Sequence, residues 1–338
     1  MFELVFLGTA AAAPAAERGL PALLVMAGPH RLLVDCGEGT QRQLMRARLG
    51  FRGLAQVLLT HSDLDHVLGL AGLIATRALY GLDGALEIVG SGDTIAFVRR
   101  YLAATIGDES GGAYRLRAVT PGRILTARGW HLDAFAVGHR AAASLGYLFA
   151  TEDRRPLLPD RLDALAVPPG PERAALARGE SVVLADGTRI APEMVQGPGR
   201  GGARLAIVGD TADAASLVEK VRGADLLVIE ATFLARDVAL ARERRHITAA
   251  EAARLAREAG IGALVLNHVS GRYPAAEIAA EAAAIFTEAR IAADFDRFRV
   301  TARPPHPHAL DEGDDSGDTP DPHRNGASRV WRRTNPPR

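Results

Sequence analysis

The stretch Thr60-His61-Ser62-Asp63-Leu64-Asp65-His66 carries the strongest structural signal in this sequence. It follows a short apolar run, residues 55–59, that is typical of a buried strand, and it precedes residues 67–73, which indicate a helix. The stretch therefore places two imidazoles and two carboxylates in a turn at the carboxyl end of a strand. Imidazole nitrogens and carboxylate oxygens are the usual ligands of zinc and similar divalent ions. One such turn can supply ligands to two metal ions about 3.5–4 Å apart.

A second interpretation of this turn is a polar loop that caps the following helix, with Asp65 near the helix N-terminus. The rest of the chain favours the metal site, because polar side chains also follow three other predicted strands. These are His139, Asp210 and His268. Independent surface residues would not follow strand ends so consistently. If the strand ends share one edge of the fold, they form a dinuclear site with seven ligands: His61, Asp63, Asp65, His66, His139, Asp210 and His268.

Composition limits the classes of protein. The chain has 338 residues, 48% of them hydrophobic, which is enough for one large domain or two small ones. Its formal net charge is zero, which argues against a strongly basic nucleic-acid binder, although a local arginine patch still binds phosphate. The single cysteine, Cys36, excludes an intrachain disulfide and is expected to be a buried residue rather than a nucleophile. No signal peptide and no membrane span are predicted, so we expect a soluble cytoplasmic protein.

Strands and helices alternate along the chain, and several strands are continuously apolar. This pattern predicts an α/β sandwich whose sheets are covered by helices. Residues 155–202 depart from it, being rich in Pro, Gly and Arg around a hairpin that turns at Asp186-Gly187, and we interpret them as an inserted arm. A disordered linker is the alternative for that segment. Residues 303–338 have few apolar side chains and predict a disordered tail, which leaves 1–302 as the main domain.

Two further polar residues stand close to predicted element ends. The apolar run that begins at residue 226 ends on Glu230. His246 directly precedes a helix start, where Thr248 and Glu251 have the spacing of a capping box. Either position is compatible with an ordinary structural role when it is considered alone.

Taken in order, these motifs resemble the ribonuclease Z family of the metallo-β-lactamase superfamily. The resemblance extends over most of residues 1–300. It includes Gly8-Thr9-Ala10 with Pro14, Val34-Asp35-Cys36-Gly37-Glu38-Gly39-Thr40-Gln41, the stretch of residues 60–66 (the metal loop), Gly209-Asp210-Thr211, Glu230-Ala231-Thr232, His246-Ile247-Thr248 and Asn267-His268. The metal loop alone would indicate only the superfamily. The Glu230 and His246 motifs narrow the resemblance to ribonuclease Z, and the Pro168-Pro169-Gly170-Pro171 segment is similar to the Gly-Pro-containing arm with which this family grips tRNA.

The resemblance implies a four-layer αββα fold and two divalent metal ions, with zinc as the expected metal. One ion would be held by His61, Asp63 and His139, the other by Asp65, His66 and His268, with Asp210 between them. The family usually has His where this chain has Asp63. Because a carboxylate is a harder ligand than an imidazole, manganese, iron or magnesium is an alternative at that half of the site, which is also expected to bind metal more weakly.

The resemblance also implies the reaction, which is removal of the 3′ trailer of precursor tRNA to leave a 3′-hydroxyl. Asp65 would orient or deprotonate the attacking water, and His246, aligned by Glu230, would protonate the leaving oxygen. Thr248, Ser270 and Arg272 are candidate phosphate contacts. The family is homodimeric, so a homodimer is expected. Two other classes remain open: a hydrolase of a small phosphodiester, lactone or sulfate ester with the same fold, and a metal-poor binding protein.

Overall fold

The computed structural model describes residues 1–139, 143–153, 155–197, 199 and 201–303. Its contacts divide the chain into two compact units. The first comprises Met1–Thr151 and Ala203–Thr301, and the second comprises Glu152–Gly202. The predicted tail lies outside the described residues except for its first residue, so its disorder stays a prediction.

The N-terminal half of the first unit follows the predicted order of elements closely. Its strands and helices are β1 (Phe2–Gly8), β2 (Ala22–Ala27), β3 (His30–Val34), α1 (Thr40–Arg46), β4 (Leu54–Leu58), α2 (Leu64–Val67), α3 (Gly69–Leu79), β5 (Leu86–Gly90), α4 (Gly92–Thr105) and β6 (Tyr114–Ala118). The metal loop differs from the prediction in one respect, because its second half already forms the short helix α2. This turn of helix places His66 and Asp65 on a fixed backbone rather than on an extended loop.

The remaining elements complete the first unit and form the second. They are β7 (Gly122–Ala127), β8 (Trp130–Val137), β9 (Ser144–Thr151), α5 (Pro159–Ala164), α6 (Pro171–Ala177), β10 (Val182–Val183), β11 (Arg189–Ile190), α7 (Pro192–Val195), β12 (Arg204–Ile207), α8 (Val218–Val221), β13 (Leu226–Glu230), α9 (Val238–Arg244), α10 (Ala249–Glu258), β14 (Ala263–Asn267), α11 (Ala275–Ala283), β15 (Ala289–Ile291) and β16 (Arg297–Val300). The apolar periodicity of residues 275–289 predicts a helix over that whole range, but the last helix ends at Ala283. The chain needs residues 284–288 to turn into β15, which pairs with β14.

Within the described residues of the first unit, the strands form two sheets of seven. The first has the order β16-β1-β2-β3-β4-β5-β6, and the second has the order β15-β14-β13-β12-β9-β8-β7. Strands β3 to β6 run parallel to one another, and so do β12 to β15. Because parallel strands present their carboxyl ends at one edge, the polar residues that follow these strands gather there.

The two sheets pack face to face and carry helices on their outer faces. Phe2 of the first sheet makes edge-to-face contacts with Trp130 and Phe149 of the second, with ring centroids 6.2 and 5.8 Å apart. Helices α1, α3 and α4 bury their apolar side chains against the first sheet. Helices α8, α9, α10 and α11 do so against the second. The predicted four-layer αββα sandwich is confirmed.

The segment after β3 packs unusually closely on the metal loop. Cys36 donates its backbone N–H to the carbonyl of His66 and accepts a hydrogen bond from the backbone N–H of Gly69, at 2.8 and 2.9 Å. A Cβ atom on Gly69 would lie 2.0 Å from the carbonyl oxygen of Gly37, and one on Gly37 would lie 2.5 Å from the carbonyl oxygen of Asp65. Only glycine permits this approach, which ties the metal loop to the end of β3.

The second unit has a small core of its own. Leu162, Val167, Leu176, Ile190 and Val195 are buried together, and β10 pairs with β11 across the predicted hairpin. Seven arginines and eight acidic residues lie between Glu152 and Gly202, so the segment is not a basic arm. Its service as an arm that grips tRNA stays a prediction. In the part of the chain that the structure describes, no helix has the length and apolar character to cross a bilayer.

Candidate metal centre

Seven polar side chains converge at the carboxyl edges of the two sheets. His61 follows β4, and Asp63, Asp65 and His66 follow it within the same turn. The second sheet contributes His139 after β8, Asp210 after β12 and His268 after β14. The structure therefore brings together all seven residues that the sequence predicts as ligands: His61, Asp63, Asp65, His66, His139, Asp210 and His268.

These seven side chains form two clusters that have no residue in common, each small enough to hold one ion, and a third group joins Asp210 and His268 to His246. One ligand atom each from His61, Asp63, His139 and Asp210 lies within 4.8 Å of the others. The second cluster consists of Asp65, His66 and His268, whose ligand atoms also lie within 4.8 Å of one another.

Asp210 lies between the two clusters. Its Oδ2 is 3.6 Å from Nε2 of His61, while its Oδ1 is 3.5 Å from Nε2 of both His66 and His268. One carboxylate oxygen thus faces each cluster, as a bridging ligand requires.

The donor atoms fit divalent metal ions. Nε2 of His61, Nε2 of His66 and Oδ1 of Asp210 are buried and have no hydrogen-bond partner among the described residues. Buried polar atoms are normally satisfied, so these three atoms, distributed over the two clusters, fit a site in which metal ions are their partners. Each cluster offers two imidazoles and one carboxylate besides Asp210, a donor set suited to zinc, iron and manganese.

The imidazoles of the first sheet are held from behind by Asp35. His66 donates from Nδ1 to Oδ2 of Asp35 at 2.8 Å. The Thr60 hydroxyl donates to the same carboxylate and therefore accepts from Nδ1 of His61, at 2.9 Å. Both rings are thereby fixed in the tautomer that turns a bare Nε2 toward the centre, as outer carboxylates do in metal sites.

The second sheet repeats this arrangement around Glu230. The Thr232 hydroxyl donates to Oε2 of Glu230 at 2.6 Å and accepts from Nδ1 of His268 at 2.9 Å. Nδ1 of His246 lies 3.0 Å from the same Oε2, and the backbone N–H of Thr211 donates to Oε1 at 2.7 Å. Glu230 therefore aligns His246, as predicted, and supports the ligand candidate His268 as well.

His139 is fixed by a backbone group instead of a carboxylate. Its Nδ1 donates to the carbonyl of Arg245 at 2.8 Å, and its Nε2 lies 3.7 Å from Oδ2 of Asp63. Arg245 ends α9 in a left-handed conformation with a φ of 64°, which turns its carbonyl toward the site. The same turn leads directly into His246.

Charges in the centre shift several pKa values. Burial alone would raise the pKa of Asp210, but His268, His66 and His61 hold it well below its usual range. Burial and the neighbouring His66 lower the pKa of His61 to about 4, so that its Nε2 is free to bind a metal at neutral pH. Burial also opposes the charged form of His246, but Glu230 outweighs it and raises the pKa of His246 to about 9. His246 is thus protonated at neutral pH, as a proton donor must be.

The loop after β1 reaches the centre through a backbone contact. Ala12, in a left-handed conformation with a φ of 59°, donates its N–H to Oδ2 of Asp65 at 3.0 Å. The same oxygen lies 3.2 Å from Nε2 of His268. Because the His268 proton is on Nδ1, its bare Nε2 and Oδ2 of Asp65 are both available to one metal ion.

The three predicted phosphate contacts have different surroundings. Thr248 is buried, and its hydroxyl accepts from the backbone N–H of Glu251 in a capping box, which confirms the predicted N-cap. Ser270 accepts from the backbone N–H of Arg272 at 3.2 Å, and Arg272 is exposed. Ser270 and Arg272 are therefore better placed than Thr248 to meet a phosphate, and their role stays a prediction.

The sequence-based interpretation did not identify four supporting residues: Asp35, Thr60, Thr232 and Arg245. Asp35 had a readable signal, because it is an acidic residue directly after an apolar strand, like Asp210. The two threonines stand one or two positions from a predicted site residue. Arg245 had no signal, since it contributes only its backbone carbonyl.

Curated relatives match this chain over nearly their whole length. A ribonuclease Z from Bradyrhizobium sp. (strain ORS 278) is 53% identical over 301 residues, which cover 89% of this chain and all of that protein. A ribonuclease Z from Archaeoglobus fulgidus is 39% identical and covers 89% of this chain and 98% of its own length. The chain belongs to the ribonuclease Z family. This membership confirms the resemblance and identifies the chain as a hydrolase of the endoribonuclease class.

Two further comparisons bear on the fold of this ribonuclease Z family member. Human tRNase Z, short form, superposes with a TM-score of 0.61 at 23% identity and covers 87% of this chain and 98% of its own. A metallo-β-lactamase fold protein, YhfI from Bacillus subtilis, has a TM-score of 0.62 at 20% identity, with 88% and 98% covered. Both confirm the metallo-β-lactamase fold. A family model described as the anti-Pycsar protein Apyc1 also matches residues 2–136, less than half of the chain.

Proposed function

We propose that this chain is a metal-dependent endoribonuclease that removes the 3′ trailer of precursor tRNA and leaves a 3′-hydroxyl on the tRNA. Family membership supports the activity, since ribonuclease Z relatives match along their full length. The observation that carries the proposal at the site is the convergence of two metal-binding clusters on one bridging carboxylate, Asp210. Cleavage at phosphorus is the chemistry for which paired metals are suited.

The ligand assignment follows the two clusters. His61, Asp63 and His139 would hold one ion, Asp65, His66 and His268 the other, and Asp210 would bridge them. When bound, two divalent ions lower the pKa of a water molecule and offset the charge that develops on the reacting phosphate. Asp65 would orient that water through the oxygen that the Ala12 N–H does not contact.

His246 would be the general acid. Glu230 holds its Nδ1 at 3.0 Å, so Nε2 is the atom from which a proton leaves. Glu230 also keeps the imidazole protonated at neutral pH, since it raises the pKa of His246 to about 9. The 3′ oxygen of the tRNA leaves as an alkoxide unless it receives a proton, and such transfer typically contributes 10²–10⁴-fold.

The donors of this chain define the metal preference of the Asp63 half of the site. With Asp63 in place, both clusters contain two imidazoles and one carboxylate of their own, besides the shared Asp210. A third carboxylate makes the centre more negative than a five-imidazole site would be. We propose zinc as the principal metal, with manganese or iron favoured at the Asp63 half.

The expected context completes the proposal. The enzyme would act in the cytoplasm as a homodimer, with Ser270, Arg272 and Thr248 near substrate phosphates and with residues 155–202 contacting the tRNA. Hydrolysis of a small phosphodiester, lactone or sulfate ester and a metal-poor binding role are both disfavoured, because the full-length relatives are ribonucleases and the two clusters are intact.

The decisive test is cleavage of a precursor tRNA with a 3′ extension, by protein supplied with zinc, manganese or magnesium. We expect a single cut after the last encoded nucleotide, a 3′-hydroxyl on the tRNA product, and loss of activity with a chelator. A folded protein that cuts no precursor with any of these metals would contradict the proposal.

A further inference from the structure

A large basin lies beside the metal centre, outside the groups that the reaction uses. Its volume is about 550 Å³, within the range of small-molecule and nucleotide sites. It is lined by the loop of residues 14–19, by α1 and by residues 293–295. We call it the α1 basin.

The α1 basin is connected to the centre through a short stretch of chain. Ala12 donates its backbone N–H to the ligand candidate Asp65, and Pro14, at the rim of the basin, follows two residues later. Two residues span at most roughly 7 Å, so the rim lies close to the site of cleavage. A strand that leaves the scissile phosphate on this side enters the basin within its first nucleotides.

One wall of the basin is a stacked pair. The guanidinium carbon of Arg46 lies 4.9 Å from the centroid of the Phe295 ring, and Gln43 accepts from Nη1 of Arg46 at 3.0 Å. Arg46 is exposed and Phe295 is partly exposed, so the pair faces the basin. Unpaired RNA bases stack on aromatic rings and on guanidinium planes, and this pair offers both surfaces.

Phe295 is held in a conformation that a bulky residue rarely adopts. Its φ is 71°, and its backbone N–H donates to the carbonyl of Phe6 at 2.6 Å. A non-glycine residue with this backbone strain persists only where the surroundings enforce it, and such residues concentrate at functional sites. Here the strain presents an aromatic ring at the wall of a basin instead of in the core.

The floor of the basin is polar, and its polar groups already form hydrogen bonds with one another. Asp294 accepts hydrogen bonds from the backbone N–H of Gly19, the hydroxyl of Thr9 and the side-chain amide of Gln43, at 2.7, 2.8 and 2.6 Å. Because these groups satisfy one another, they do not read the edge of a base. The lining also balances its charges, with Arg18, Arg42 and Arg46 against Glu17, Glu38 and Asp294. A ligand would therefore be held mainly by stacking, with little base preference.

We propose that the α1 basin binds the first unpaired nucleotides of the 3′ trailer, with a base stacked on Arg46 and Phe295 and with Arg42 at an adjoining phosphate. This assignment rests on the proposed function and names where the strand beyond the cut is held. The trailer is favoured over the acceptor stem because duplex RNA keeps its bases inside the helix, whereas a stacking wall requires an unpaired strand.

The test compares two precursor tRNAs that differ only in the trailer: one has six ordinary nucleotides, and the other has six abasic ones. For the unaltered enzyme, we expect the KM of the abasic precursor to be about fivefold higher or more, since stacking on one base is lost. The kcat is expected to stay the same, because the contact lies away from the reacting atoms. Phe295→Leu and Arg46→Gln should raise the KM of the ordinary precursor and leave that of the abasic one unchanged.

A matched control variant accompanies this test. Arg257→Gln, an exposed arginine in the last turn of α10, is the control and should affect neither substrate. Arg46→Gln and Arg42→Gln change exposed helix residues, so they remain informative if Phe295→Leu does not fold. Equal KM values for the two precursors with unaltered enzyme would overturn the proposal. A KM that rises only when the abasic nucleotide lies before the cut would overturn the proposal too, because the basin would then bind nucleotides of the tRNA and not of the trailer. Failure to cut either precursor would reject the proposed function itself.

Discussion

At the scale of the residue, one substitution distinguishes this centre from the pattern that its family implies. Asp63 replaces an expected imidazole, and the structure still places its Oδ2 3.8 and 3.7 Å from Nε2 of His61 and His139. The shorter side chain therefore remains within the cluster. What changes is the charge and the hardness of one donor, which is a chemical difference rather than a loss of geometry.

Asp63→His should move metal selectivity toward zinc. An imidazole is a softer donor than a carboxylate, so the altered half-site is expected to lose manganese or iron relative to zinc. The check is the metal content of protein exposed to equal zinc and manganese, measured by mass spectrometry, with titration calorimetry for each metal. Asp83→His, an exposed position in the turn before β5, makes the same charge change and should alter nothing. An unchanged zinc-to-manganese ratio in Asp63→His would contradict the assignment of Asp63 as a ligand.

His246→Ala should lower kcat by about 10²–10⁴-fold while the metal content stays unchanged, because His246 is assigned to proton transfer and not to metal binding. Single-turnover cleavage of a precursor tRNA, with metal analysis of the same sample, measures both effects. His131→Ala, at the far end of β8, is the matched control. One atom of His246 lies within 4.8 Å of ligand atoms of Asp210 and His268, so loss of metal would reassign His246 as a ligand.

At the scale of the element, the two sheets support their imidazoles in the same way. Each has a carboxylate at a strand end, Asp35 after β3 and Glu230 in β13, and a threonine that passes a hydrogen bond to a histidine. Asp35 and His268 also adopt left-handed conformations, with φ of 58° and 53°. Strain at these strand ends is compatible with a rigid centre whose ligand directions are set before a metal arrives.

Thr232→Val should weaken metal binding by about 10–100-fold, because it removes the hydrogen bond that orients His268. Thr232→Ser retains the hydroxyl and should restore most of the affinity. Competition with a chromogenic chelator measures the dissociation constant without reference to activity. Weaker binding in the serine variant with no weakening in the valine variant would show that packing of the methyl group, which valine keeps, matters rather than the hydroxyl.

Gly69→Ala should destabilise the protein by about 1–3 kcal/mol, since the new Cβ would lie 2.0 Å from the carbonyl oxygen of Gly37 and must push α3 away. Gly92→Ala is a matched control: it also lies at the first residue of a helix, and a Cβ there meets nothing within 4 Å. Thermal unfolding of the two variants gives the comparison. A Gly69→Ala protein as stable as Gly92→Ala would contradict the close packing described here.

At the scale of the whole molecule, the first unit carries the chemistry and the second unit carries no predicted catalytic residue. Within the first unit, Thr151 is the last residue of β9, and its backbone N–H donates to the carbonyl of Ala203, the residue before β12, at 2.9 Å. The sheet is therefore continuous without residues 152–202. This arrangement suits an insertion that serves substrate binding.

Replacement of residues 153–201 by a short glycine-serine linker should raise the KM for precursor tRNA and leave hydrolysis of a simple aryl phosphodiester unchanged. The salt dependence of binding should decrease only slightly, because the segment holds as many acidic as basic charges, and Arg173 and Arg178 already pair with Asp163 and Glu180. Filter binding at several salt concentrations measures the slope. An unchanged KM for precursor tRNA would reject the segment as a tRNA contact.

The sequence by itself determined the fold class, the order of the elements and all seven candidate ligands. It could do so because metal donors are restricted to a few residue types, and because apolar strands followed by polar residues are visible in one dimension. The capping box at Thr248 and the hairpin of the second unit were readable for the same reason, since both depend on neighbours in sequence.

Only the tertiary structure decided what stands behind and beside those ligands. Asp35 contacts Thr60 and His66 across 25 and 31 residues, and the Arg245 carbonyl contacts His139 across 106. The α1 basin likewise needs Phe295 to meet Arg46 from the opposite end of the chain. Such contacts depend on which strand ends share an edge, and hydrogen bonds to backbone groups leave no trace in residue type. The physical reason is that local propensity acts over a few residues, whereas orientation at a site is set by packing between distant ones.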